Sequence, residues 1–241
     1  MEIRLDNSLT KLFAAEYMSA SFSIVNLRHP DSLDAGSLVT NSALELGAKV
    51  EILTSNQSET FSEFNYGLIN WRETLQNKHW LVISSTTVLE GNSPCNAWGA
   101  SMIFGELEGT KTIMVVDNPK DQDEISEMWG KIVNRIRQIH ILFFTKEALN
   151  SISKLENTAS HLLLKKIKAK GLVPIVCSFD EIRNIAHIIH PSGELSLEFK
   201  SHFPYHLWLA YFINGLSMTN LKNSEIRYAA SRIDNSKISF N

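Results

Sequence analysis

A chain of 241 residues, 44% of them hydrophobic, can bury a full core and is expected to form one domain over residues 1–241. Its formal net charge of -3, with no basic run, argues against nucleic-acid binding. No apolar stretch is long enough to span a bilayer, and Cys95 and Cys177 stand isolated without a CxxC pair or an N-terminal leader, so the expectation is a cytoplasmic protein with reduced thiols.

In chain order, the first thirty residues carry little pattern beyond one expected strand, Ser21 to Asn26. Ala35 to Leu46 reads as a helix closed by Gly47, and Lys49 to Leu53 as the strand that follows it. After a polar stretch come a short helix, Asn70 to Gln76, and a strand, His79 to Ser84. Asn92-Ser93-Pro94 opens a helix that reaches Glu108 across Gly99 and Gly105, and a turn then delivers a buried strand, Thr112 to Asp117. Ile125, Met128, Trp129, Ile132, Val133 and Ile136 fall on one stripe of a helix from Asp123 to Arg137, followed by the strand Ile139 to Phe144.

Thr158 to Lys170 predicts a helix whose Lys165, Lys166, Lys168 and Lys170 form a solvated face. Gly171 is its expected stop, before the strand Leu172 to Ser178. Ile185 to Ile189 and Glu194 to Phe199 flank Pro191-Ser192-Gly193 as a hairpin. Leu207 to Leu216 is apolar on nearly all sides, the pattern of a helix packed inside a domain, and Ser224 to Ile233 closes the chain as another helix.

Strands alternating with helices imply right-handed crossovers and a three-layer α/β/α sandwich with a mainly parallel sheet, which binds ligands at the carboxyl ends of its strands. The helix opened by Pro204 therefore matters most, because the N–H groups of a helix N-terminus are where a phosphate would sit. Phe203-Pro204-Tyr205-His206 offers neither glycine nor carboxylate at that turn. His202 and His206 would share a helical face and could ligate zinc, but Pro204 stands between them with no cysteine or paired carboxylate nearby. They, with His187 and His190, are expected to be rim histidines, and no metal is expected. Trp71, Trp80, Trp98, Trp129 and Trp208 are expected in the core.

Several segments in collinear order carry a family resemblance. LVTNSALELGAKVEIL, INWRETLQNKHWLVISSTTVLEGN, TIMVVDNP, IHILFFTKEAL, AYFINGL and IRYAASRIDNSKISFN together resemble the PfkB, ribokinase-like carbohydrate kinases, most of all 2-keto-3-deoxygluconate kinases, over roughly residues 35 to 241. The resemblance implies a ribokinase-like fold and ATP- and Mg-dependent sugar phosphorylation. It also implies a GAGD turn whose N–H groups hold the transferred phosphoryl and whose Asp is the base. Aligned through AYFINGL, that glycine falls on Tyr205, with Pro204 before it, and the base on His206. The sugar-binding double glycine falls on Leu33 and Asp34 and the asparagine on Leu38, with Gly36 the one glycine kept. The N-x-x-E motif becomes Thr145 to Ala148 with Glu147 one place early, and Asp117 keeps its place without the following arginine. Between Gln57 and Phe64 the chain is too short for the lid strands that cover the sugar and often form the dimer interface.

The resemblance with these departures leads to one expectation: a degenerate pseudokinase scaffold, non-catalytic, binding a small ligand or a protein partner without a cofactor, and dimerising, where it does so, by a surface other than a lid. The alternative is an ATP- and Mg-dependent kinase for a keto-sugar acid such as 2-keto-3-deoxygluconate, with a remodelled site.

Overall fold

The computed structural model describes residues 22–31, 33–55, 59–217 and 223–236. Its strands are β1 (Ser23–Leu27), β2 (Lys49–Leu53), β3 (Trp80–Ser84), β4 (Lys111–Val116), β5 (Ile141–Phe144), β6 (Ile175–Asp180), β7 (Ile185–His190) and β8 (Gly193–Glu198). Its helices are α1 (Ala35–Glu45), α2 (Trp71–Leu75), α3 (Asn92–Glu108), α4 (Ile125–Asn134), α5 (Lys146–Leu155), α6 (Ser160–Gly171), α7 (Tyr205–Leu216) and α8 (Asn223–Ser236). The strands form one eight-stranded sheet in the order β2-β1-β3-β4-β5-β6-β7-β8. Pairing is parallel from β2 through β6 and antiparallel in the last two pairs.

Central strands read as continuous apolar runs because both of their faces are covered. In β3, Trp80 and Val82 enter the core beneath α1, α7 and α8, while Leu81 and Ile83 enter the core beneath α2 to α6. That alternation is the period of two that a pleated strand imposes. All of the tryptophans are buried, as expected. Helix α7 is covered by sheet, α1 and α8, which is why its sequence shows no polar face. Gly215 permits the approach of α8: a Cβ there would stand 2.7 Å from both Cα and Cβ of Ala229. Gly215→Ala should therefore destabilise the chain by about 1–3 kcal/mol, read as a lower urea midpoint.

The alternation read from sequence holds, with particular corrections. The helix expected from Asp123 to Arg137 is interrupted: a 3-10 turn at Gln122–Glu124 precedes α4, Arg135 leaves helical geometry at φ -119, and Ile136–Gln138 form another 3-10 turn. The break lays the Arg135 guanidinium on Gly99 of α3. Gly171 stays helical, and the left-handed residue that ends α6 is Leu172 at φ 58. A Cβ at 171 would meet Ile136 Cδ1 at 3.0 Å, so the glycine serves packing there and not the turn. Helix α5 was not anticipated; Thr145 caps it, accepting from the Ala148 N–H, and Ala148, Leu149 and Ile152 bury its stripe. The first strand is Ser23–Leu27, not Ser21 to Asn26, and Ser21 lies outside the described residues. Among the described residues between β2 and α2 there is no strand, only turns and a 3-10 segment at Tyr66–Leu68. No helix of the described residues is long and apolar enough to cross a membrane.

Candidate functional site

Parallel pairing brings the carboxyl ends of β1, β3, β4 and β5 to one edge of the sheet, where α1 and α5 begin. Asp34 caps α1: its Oδ1 accepts from the Ser37 N–H at 2.7 Å and from the Ser84 hydroxyl at 2.6 Å. Ser84 Oγ in turn accepts from the Gly36 N–H at 2.8 Å, and a Cβ on Gly36 would fall 2.7 Å from that oxygen. Gly36 is thus required by the approach of α1 to β3. Asp34→Ala should cost about 1–2 kcal/mol through loss of the cap, measured by chemical denaturation.

At the end of β4, Asp117 Oδ1 accepts from the Asn118 N–H at 2.9 Å and from the Thr145 hydroxyl at 3.1 Å. Burial raises the Asp117 carboxyl above its ordinary range against those two hydrogen bonds, and the charges of Glu147 and Asp34 add to the rise. Asp34 and Asp117 line a cavity of about 690 Å³. Its charged walls are Asp31, Glu90 and Glu124 beside those two, against Lys120 and His29. Burial also raises Glu90.

The opening of α7 is filled from within. Pro204 is the N-cap residue and supplies no side-chain cap. The first free N–H, that of Tyr205, donates to Glu181 Oε1 at 2.6 Å, so a carboxylate of the chain itself meets the positive end of the helix dipole. The Tyr205 ring stacks on Phe143 at 5.5 Å, and burial with the nearby charges of Asp117, Glu181, Asp34 and Glu147 keeps its phenol protonated. His206 turns to α1, where its Nδ1 shares a hydrogen bond of 2.8 Å with Ser42 Oγ. Burial lowers its affinity for a proton, opposed by Glu181 and Glu45.

Of the residues singled out in the sequence, Asp34, Asp117, Thr145, Glu147 and Tyr205 thus come together electrostatically or by hydrogen bond. His206 is absent from the cavity lining, as is half-buried Leu38, while Leu33 stands at its mouth, 69% exposed. His202 lies before α7 begins and shares no helical face with His206. No group of His, Cys, Asp and Glu among the described residues could hold a metal ion. Sequence reading missed Glu181, Glu90 and Ser84. Ser84 could have been found, since it ends a predicted strand; Glu181 has no local signal, because its partner lies 24 residues away.

Burial lowers the proton affinity of His79, His140, His187, His190 and His206 below that of an ordinary histidine, about 6.5. The unfolded chain therefore takes up protons near 6.5 that the folded chain takes up only at lower pH, and stability falls as pH drops through that window. Asp117 and Glu90, raised by burial, act in the opposite sense at lower pH. The urea midpoint should fall between about pH 7.5 and about pH 5.5; a midpoint unchanged over that range would contradict the burial of these imidazoles.

No family model matches the chain, and no curated protein matches its sequence. Solved structures do. A PfkB protein from Polaromonas sp. JS666 aligns with TM-score 0.67 at 10% identity, over 92% of this chain and 97% of that one. A fructokinase double mutant from Vibrio cholerae O395, bound to fructose, ADP and potassium ion, aligns with TM-score 0.64 at 13% identity, over 88% and 89%. A 2-dehydro-3-deoxygluconokinase from Thermotoga maritima aligns with TM-score 0.61 at 9% identity, over 90% and 92%. The likeness is one of architecture along nearly the whole chain, and the chain is built on the PfkB, ribokinase-like fold of carbohydrate kinases.

Proposed function

We propose that this chain is a non-catalytic relative of the PfkB sugar kinases, a pseudokinase that keeps the scaffold as a binding module for a small ligand or protein partner. The observation that carries this reading is the occupied N-terminus of α7: Glu181 takes the Tyr205 N–H and the Tyr205 ring packs on Phe143. A triphosphate brought to that turn would meet a carboxylate, and Pro204 has no N–H to offer it. The surrounding groups do not fit MgATP either, since the adjacent cavity is walled mainly by carboxylates. The same charge disfavours an anionic keto-sugar acid, and a neutral or cationic polar ligand suits the cavity better.

In this reading residues 1–241 form a single domain without the sugar-covering lid, and dimerisation uses another surface. Net charge argues against a nucleic-acid partner. Free Cys95 and fully buried Cys177 suit a reducing, cytoplasmic setting. Thermal shift with MgATP, alone and with 2-keto-3-deoxygluconate, tests the proposal. No shift is expected, and a saturable shift by MgATP would overturn it.

A further inference from the structure

Away from the strand ends, α3 and the break after α4 enclose a second cavity, of about 630 Å³. It is lined by Cys95, Asn96 and Trp98 from α3, and by Lys131 and residues 133–138 from the other side. Its charged lining is entirely cationic, Lys131, Arg135 and Arg137, although the chain as a whole carries a net charge of -3. Lys131 is already paired with Glu127 at 2.7 Å, so the arginines hold the recognition potential.

The site is built into the backbone. Arg135 leaves the helical conformation at the end of α4, and its guanidinium lies on α3 where Gly99 has no side chain; a Cβ there would stand 2.8 Å from one terminal nitrogen. Gln138 Oε1 accepts from Arg135 Nη1 at 3.1 Å and fixes the plane of the fork. Trp98, 2% exposed and part of the core beneath α2 to α6, also lines the cavity. Two arginines with no carboxylate in the cavity lining, one of them held by Gln138, present paired N–H donors that suit an oxyanion.

We propose that this cavity binds a phosphate group, either inorganic or carried on a small monoester. The planar guanidinium matches phosphate oxygens in pairs, and the cavity leaves room beside the phosphate for an ester body that Asn96 and Asn134 can hydrogen-bond. The site is separate from the strand-end cavity, and the proposal does not depend on whether the chain transfers phosphoryl groups.

The test is calorimetric titration with inorganic phosphate and with glucose 6-phosphate, followed in parallel by alkylation with iodoacetamide. Cys177 is fully buried, so alkylation of the native chain reports Cys95 at the cavity wall. Saturable binding is expected, with Cys95 alkylation slowed by occupancy and affinity lowered about tenfold in Arg137→Gln, an exposed position whose change leaves the fold intact. Arg135→Gln should do the same, and Arg135→Lys should restore part of the loss. Tighter binding of the ester assigns the site to a phosphorylated metabolite; equal binding assigns it to inorganic phosphate. No saturable binding of either probe, binding undiminished in Arg137→Gln, or binding of a polyanion such as heparin alone would overturn the proposal.

Discussion

Given MgATP and 2-keto-3-deoxygluconate, the purified chain should form no phosphorylated product above the uncatalysed background. Phosphoryl transfer depends mostly on positioned donors around the transferred group, and at the opening of α7 the first such donor already serves Glu181. Loss of a general base typically costs ~10²- to 10⁴-fold, and loss of oxyanion-type stabilisation a further ~10²- to 10³-fold. His206 does not restore the base, because its Nδ1 is engaged with Ser42 of α1 and it does not line the cavity. Tyr205→Gly with His206→Asp should leave the chain inactive, even with Glu181→Ala added to clear the helix terminus. In the proposed reading Leu33 and Leu38 stand where the sugar contacts would be, and Thr145 is committed to Asp117 and the α5 cap. Ordinary turnover by the unaltered chain, abolished by His206→Ala, would refute the proposal. A strong rescue by the substitutions would count against the reading of Leu33, Leu38 and Thr145.

The fold was legible because its signals are local. β3 and β4 are apolar runs of the right length, and α7 lacks a polar face because three neighbours cover it. Where sequence reading went wrong, a tertiary contact decided the local geometry. Ile136 occupies the space beside Gly171, so the left-handed turn passes to Leu172, and Arg135 breaks an otherwise regular amphipathic stripe to reach Gly99. The candidate site divides in the same way. Asp34 was identifiable as the residue before an expected helix, and Asp117 as the last residue of an expected strand. Glu181 was not, since nothing near it in sequence shows that it will cap a helix begun 24 residues later.

Trp208→Ala should be among the most destabilising single changes in the chain. Trp208 is fully buried, stacked on Phe212 at 5.1 Å and on Phe179 at 5.5 Å, and tilted against Phe143 at 6.1 Å. Truncation to alanine removes the ring from a close-packed layer and should cost about 3–5 kcal/mol, a large part of the roughly 5–15 kcal/mol that stabilises an ordinary domain. A separate polar contribution comes from the indole Nε1–H, which donates to the Ala230 carbonyl of α8 at 3.1 Å. Trp208→Phe keeps most of the ring and removes that bond, while the Ala230 carbonyl stays inside α8, so it should cost about 1 kcal/mol. Urea unfolding followed by far-UV circular dichroism separates the two, because the difference between the variants measures packing while the phenylalanine variant mainly measures the bond. If alanine cost no more than phenylalanine, the aromatic layer between α7 and the sheet would not be what holds this helix. The opening of α7, and with it the Tyr205–Glu181 contact that closes the site, would then need another source of rigidity.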